Sequence, residues 1–378
     1  MISPRIPLTA VIGGAGKTCT AHLVRRMLED GANQTTGLIT TRHSYVRDEI
    51  LPPPSWPGWE RQMPDILDRM ADAGCDRAVF TMSVPMMAAG MAQGLPLELA
   101  VVTSLQNSGE AELVCRSLEG RCETLVCSID DGDVRRLAEL WPGKKRTYAE
   151  KRGEADVNGR NLRLLRDRIE FEALTDQGIS RVRLPIPGGF GLYHSLAALT
   201  VGQLWNVPLG RMVEVLSHAG GVPGRMELHE LSGGVAALID SATTPEQLEN
   251  LLLTARSMAQ GRLLLVCGAP GDRDRNRRAQ IGSVISRMAD RVYLTADDPR
   301  TESVEDICRD IRAGMQGRKG TIVPDRAKAI RRAVAAAEPG DLVILAGRGD
   351  RATMLVGREE VPFDERDILM EFQTEMSC

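Results

Sequence analysis

Short apolar runs alternate with amphipathic stretches along most of this chain, and that rhythm restricts it to an α/β architecture. "GLITT" (37–41), "RAVFTM" (77–82), "LELAVVTSL" (97–105) and "ETLVCSI" (123–129) read as buried strands, each followed by a helix. Helical crossovers between strands imply a mostly parallel sheet. Between residues 153 and 187, "NLRLLRDRIEFEAL" and "SRVRLPI" change to a period of two, which predicts a small meander at the edge of that sheet. Helices follow around "LYHSLAALTVGQLW" and "LGRMVEVLSHA", and "GGVPGR" then reads as a hinge. Beyond it the rhythm restarts with "GVAALIDS", "RLLLVCGA", "DRVYLTAD" and "DLVILAG", separated by helical stretches such as "TPEQLENLLLTARSM" and "VEDICRDIRAGM". Two domains are therefore expected, 1–224 with a phosphate-loop type of sheet and 225–378 with a doubly wound, Rossmann-like one. Ligands of open α/β sheets bind outside the carboxyl ends of the strands, which places a site among "DSATTP", "GAPGDRDR", "ADDPR" and "GRGDR".

A chain of 378 residues is long enough for such domains. Its 47 basic and 51 acidic residues are interspersed, so no basic face marks it as a nucleic-acid binder. None of the eight cysteines forms a C-x-x-C pair, which fits reduced thiols better than a disulfide framework or a zinc site. Cys127 and Cys267 each end an apolar run and read as buried structural thiols. The start has no signal-peptide pattern, and no apolar run approaches the roughly 20 residues that a bilayer requires. The expectation is a cytoplasmic protein with no membrane partner.

"VIGGAGKTCT" (11–20) stands where the first strand meets the first helix. Glycines between strand and helix expose backbone N–H groups, and the helix start adds partial positive charge, so a polyphosphate is bound there. Gly13, Gly14, Gly16, Lys17, Thr18 and Cys19 are the candidate nucleotide-binding residues. Lys17 would reach the terminal phosphates, and the Thr18 hydroxyl would hold Mg2+. A full Walker pattern asks for a glycine at position 11, where Val11 stands, and the alternative is a tight turn with a solvated lysine.

"GGAGKTCT", "LPIPGGFGLYHSLAAL", "GGVPGRME", "IDSATTPEQLENLL", "GAPGDRDRNRR", "LTADDPRTE" and "GRGDR" occur in the order and rough spacing of the Mur ligases, and most resemble the UDP-N-acetylmuramyl-tripeptide synthetases. The resemblance spans nearly the whole chain. It does not include the N-terminal domain with which those enzymes hold the UDP-sugar. It implies a central ATP-binding domain, a C-terminal Mur ligase domain, and joining of a carboxylate to an amine through an acyl phosphate. It also implies roles for particular residues. Arg225 and Asp240 would lie near the ribose and base of ATP, at the interface of the two domains. Asp298 and Arg300, with Arg348 and Asp350, would face the incoming amino acid. Arg300 could grip its carboxylate through two parallel N–H bonds. The alternative for "ADDPR", and for Asp297 within it, is a turn with Pro299 at its corner.

Departures from the family pattern cluster at its metal site. Thr81 stands in place of a metal-binding glutamate and Pro85 in place of a nearby histidine. Gly109 replaces another histidine, and Cys115 falls near the lysine whose carbamate holds a second metal. The paired asparagines that approach adenine become Gly191 and His194, and a histidine and an acid after the last glycine turn become Asp350 and Arg351. Glu110 and Glu112 are the nearest replacement acids, unless they simply open a solvated helix. His194 reads as a helix-face residue rather than a base.

Two functions are compatible with this pattern. One is an ATP- and Mg2+-dependent ligase acting on small acid and amino-acid substrates, its carboxylate expected to be untethered or differently tethered because the resemblance lacks the UDP-sugar domain. The other is a nucleotide-binding, catalytically degenerate relative serving as a regulatory or assembly partner of another protein.

Overall fold

The computed structural model describes residues 4–55, 58–91, 93–317 and 320–373. The chain packs as two compact units, Met1–Leu164 with Arg168–Gly220, and Leu165–Asp167 with Gly221–Cys378.

In the first unit the strands are β1 (Leu8–Gly13), β2 (Thr36–Ile39), β3 (Ser44–Val46), β4 (Glu49–Leu51), β5 (Arg77–Met82), β6 (Leu97–Ser104), β7 (Cys122–Ser128), β8 (Lys144–Ala149), β9 (Val157–Leu164), β10 (Ile169–Thr175) and β11 (Gly178–Leu184). They form one sheet in the order β11-β10-β9-β8-β7-β6-β1-β5-β2-β3-β4. Its centre is parallel, and β1 lies between β5 and β6. Such a strand is covered on both faces. Accordingly Leu8, Ala10 and Ile12 of β1 enter one apolar core and Val11 the opposite one. Val11 is completely buried mid-strand, opposite Thr81 and Val101, so the phosphate-loop turn begins two residues later than a full Walker pattern would have it.

The period-two region forms the antiparallel meander β9–β10–β11 at one edge of this sheet. At the other edge the expectation of a helix directly after β2 is corrected. The Thr40 hydroxyl accepts the N–H groups of Arg42 and His43, which turns the chain back, and Arg47 at φ 53° closes a hairpin of β3 on β4. The helix Phe190–Leu204 is apolar on nearly every side and is buried against the core shared by β1 and β6. Its first turn carries Tyr193 and His194 to the carboxyl ends of the strands.

The second unit contains β12 (Glu227–Glu230), β13 (Ala236–Asp240), β14 (Leu263–Cys267), β15 (Arg291–Leu294), β16 (Thr321–Ile322) and β17 (Leu342–Ala346), in the order β12-β13-β17-β14-β15-β16. Only β12 pairs antiparallel. A separate hairpin joins β18 (Thr353–Val356) to β19 (Glu359–Pro362). The helix Pro245–Met258 starts in a capping box, Thr244 with Gln247. Among the described residues no helix is long and apolar enough to cross a membrane. Every described cysteine is a free thiol, and burial pushes those of Cys127 and Cys267 up to about 12.

Candidate functional site

At the carboxyl end of β1 the chain makes a turn that only glycine can complete. Gly13 has φ 149°, and a Cβ there would lie 2.4 Å from the Thr103 hydroxyl. Gly16 has φ 78°, and its Cβ would lie 2.7 Å from Cε1 of His194. The helix Lys17–Arg26 then begins with no side-chain cap and no acidic residue in its first turn, although most helices of this chain are capped by Ser, Thr, Asn or Asp. Uncapped N–H groups at a helix start form a site for an anion. The Lys17 ammonium lies over the loop and donates to the carbonyls of Gly13 and Gly14, each at 2.7 Å. The turn is therefore a backbone cradle with one cation at its mouth, and Thr18 stands on the first helical turn beside it.

His194 supports this cradle from the helix Phe190–Leu204. Its Nδ1 lies 3.0 Å from the Thr20 hydroxyl, and its ring fills the space beside Gly16. Burial pulls its pKa down from 6.5 to about 4, so the ring is neutral at pH 7. Periodicity placed His194 on a helix face but could not show that the loop lies against it.

The residues expected in place of the metal-binding glutamate and of the carbamylated lysine do not suit a metal. Thr81 offers a buried hydroxyl with no hydrogen-bond partner among the described residues. Cys115 is buried with its thiol directed at the Leu140 carbonyl, and burial raises its pKa, so it stays protonated. Glu110 accepts the N–H of Gln106 and donates its own N–H to Asn107, which caps the helix, while Glu112 is exposed. Among the described residues no three His, Cys, Asp or Glu side chains converge as metal ligands. At Thr18, by contrast, a hydroxyl beside a phosphate cradle has the donor chemistry that nucleotide-bound Mg2+ takes.

In the second unit, "ADDPR" follows β15 and is held by long-range contacts. Asp298 and Arg300 both adopt positive φ, 47° and 53°. One oxygen of Asp298 accepts from Arg348 and from the Leu355 N–H, each at 3.0 Å, and the other is paired with Arg351. Burial raises the Asp298 pKa, but Leu355, Arg351 and Arg348 outweigh it and hold the carboxyl below the usual range. Asp297 is 1% exposed and packs beside Arg348 in the interior. Arg348 is itself completely buried and also donates to the Thr353 carbonyl. Main-chain bonds tie Arg300 to the hairpin, its N–H to Leu355 and its carbonyl to Gly357. Its guanidinium Nε is buried without a partner among the described residues.

Asp240, at the end of β13, accepts the N–H groups of Met226 and Ala242, each at 2.9 Å. Its expected role beside a ribose therefore competes with bracing the main chain at 226 and 242. Burial raises its pKa, with Arg225 the largest opposing influence. Asp350 lies next to Gly349, whose main chain packs on Gly224. Sequence reasoning missed Arg326 and Glu365, a completely buried pair at 2.7 Å. Arg326 also donates to the carbonyls of Ala296 and Ala346, pinning the ends of β15 and β17 under "ADDPR" and "GRGDR".

Comparisons with known proteins agree with this architecture. A family model described as "Mur ligase, glutamate ligase domain" matches residues 224–349. A protein of Synechococcus elongatus named UDP-N-acetylmuramoyl-L-alanyl-D-glutamate--2,6-diaminopimelate ligase is 34% identical over 96% of this chain and 75% of its own length. A ligase of the same name from Caldanaerobacter subterraneus is 29% identical over 98% of this chain and 79% of its own. Among solved structures, one of a ligase of that name superposes with a TM-score of 0.68 at 25% identity, covering 98% of this chain and 78% of the other. A folylpolyglutamate synthase of Mycobacterium tuberculosis complexed with ADP shares the fold, with a TM-score of 0.70 at 18% identity over 91% of this chain and 88% of its own.

Proposed function

Because this chain belongs to the Mur ligase family, and is thereby an ATP-dependent ligase that joins a carboxylate to an amine, we propose that its acyl substrate is a peptide carboxylate carried on a UDP-linked sugar and its amine an amino acid. The names of its relatives suggest that substrate pair. We further assign 1–224 as the ATP-binding domain and 225–378 as the domain that receives the amino acid, working in the cytoplasm. The non-catalytic alternative gains nothing from these comparisons.

The observation that carries the ATP assignment is the turn at 13–18, with glycines at two positions no side chain fits and Lys17 at its mouth. A phosphate oxygen entering the cradle replaces the carbonyls of Gly13 and Gly14 as partner of Lys17, exchanging neutral acceptors for a charged one. Thr18 would hold nucleotide-bound Mg2+, which when present offsets charge between the γ-phosphate and the attacking carboxylate. The carboxylate displaces ADP from the γ-phosphorus to give an acyl phosphate. The amine then attacks the acyl carbon, and phosphate leaves. Oxide is too poor a leaving group for direct attack on the free acid. No step is assigned to a metal held at Thr81 or Cys115, because neither side chain fits one.

On the amine side, the Nε of Arg300, which has no hydrogen-bond partner among the described residues, is a donor that an amino-acid carboxylate would satisfy. Asp298, Arg348 and Arg351 act as positioning residues, since they hold the turn from which Arg300 projects.

The test supplies ATP, Mg2+ and a panel of amino acids, with and without UDP-muramyl peptide acceptors, and follows ADP and phosphate. Amine-dependent ADP release with a sugar-linked acceptor is expected. Turnover only with free acids would move the substrate to another class, and no turnover with any pairing would remove the assignment.

A further inference from the structure

Ser104, the last residue of β6, lies directly beside the phosphate turn. Its carbonyl accepts the Gly14 N–H at 3.2 Å, and its hydroxyl accepts the Ala15 N–H at 3.0 Å. Two successive N–H groups of the turn thus end on one residue. A glycine-rich turn binds phosphate by directing such N–H groups onto the anion, so an oxygen already seated there competes with the ligand.

The hydroxyl also donates to the Ala15 carbonyl at 3.4 Å, but it is not the turn's only anchor. Thr103 donates to the carbonyls of Ala15 and Ile12, at 2.8 and 3.2 Å, and Gly13 stays in register with Ser104 through the strand pairing. The Gly14 contact is also made by the Ser104 main chain, which any residue at 104 supplies. Removing the hydroxyl should therefore leave the turn anchored while releasing the Ala15 N–H.

We propose that Ser104 is an internal competitor for the phosphate cradle. Its hydroxyl occupies the Ala15 N–H, a phosphate oxygen must displace it, and the exchange sets the affinity for nucleotide. The inference rests on the reading of 13–18 as the ATP site. It concerns a residue that touches the loop's own N–H, and it predicts that deleting a hydrogen bond strengthens binding.

The experiment is calorimetric titration of the full-length parent, Ser104→Ala and Ser104→Thr with ATP, ADP and adenosine. Losing a neutral competing bond should lower the Kd of Ser104→Ala for ATP and ADP by roughly two- to tenfold. Adenosine, which has no phosphate, should bind both proteins alike, and Ser104→Thr, which keeps a hydroxyl, should stay near the parent. A merely structural serine would weaken all nucleotides on removal. An unchanged or raised Kd for ATP in Ser104→Ala, in a protein whose circular dichroism matches the parent, overturns the proposal. If the parent itself fails to bind ATP, the phosphate-loop assignment is what fails.

Discussion

The turn at 13–18 and the "ADDPR" turn both sit at the carboxyl ends of parallel strands, yet they are built from different materials. The first is made of main chain: glycines, N–H groups and one lysine, with a serine, a threonine and a histidine packed around it. The second is made of buried side chains drawn from distant segments, with Asp297, Asp298, Arg348 and Arg351 locked together and Arg300 pinned to a hairpin more than fifty residues away. A main-chain site is tuned by small, local replacements. A site of buried charges stands or falls as a set, because a charge that loses its partner in the interior is costly.

That contrast is open to direct attack. The largest effect is expected from Arg348→Met, which leaves Asp297 and Asp298 without their buried partner and should cost the second unit about 3–5 kcal/mol, measured by denaturant unfolding. Adding Asp298→Asn should recover part of the loss, and a neutral Arg348→Met would erase the distinction between the two sites. Next comes Lys17→Ala, which should weaken ATP binding roughly a hundredfold, the worth of a charge-assisted bond to phosphate, while the unfolding midpoint barely moves. Arg300→Lys keeps the charge but loses the planar fork, so the KM for the amino acid should rise about tenfold with the KM for ATP unchanged. A matching rise in both would mean that Arg300 acts on the whole fold and not on the amine.

The smallest expected effect is on pH. His194 has a folded pKa below its unfolded value, so its contribution is complete above 6.5 and is lost as pH falls towards 4. In the second unit Arg278 holds Glu302 down to about 2, so that contribution is complete above 4.5 and is lost only as pH falls towards 2. Hydrogen exchange followed from pH 7 to pH 5 should therefore show the first unit loosening before the second, and His194→Gln should remove the difference. Simultaneous loosening in the parent would contradict these assignments.

How much of this was legible beforehand follows from the same contrast. The runs at 77–82, 97–105 and 123–129 are strands because a parallel strand covered on both faces must be continuously apolar, and that is a local property. The period-two stretch at 153–187 became the meander for an equally local reason. The glycines and Lys17 could be singled out because backbone geometry is written into the residues that adopt it. The hairpin after β2 was missed because a hydroxyl, Thr40, reverses the chain there without a glycine or proline to announce it. No local pattern marks Arg326 or Glu365, whose pairing spans 39 residues and distinguishes them from other surface-type charges only once the chain is folded. His194 lies between these cases, since its helix face was readable and its partner Gly16 was not.

The central claim, that the turn at 13–18 supports amide formation through an acyl phosphate, is tested most directly by isotope transfer. The acceptor carboxylate is labelled with oxygen-18, and the phosphate released during amine-dependent turnover is analysed by mass spectrometry. The account predicts that each released phosphate carries one labelled oxygen from the acid, and that Lys17→Ala produces almost none. Unlabelled phosphate, meaning that water and not the carboxylate attacked the γ-phosphorus, would contradict it.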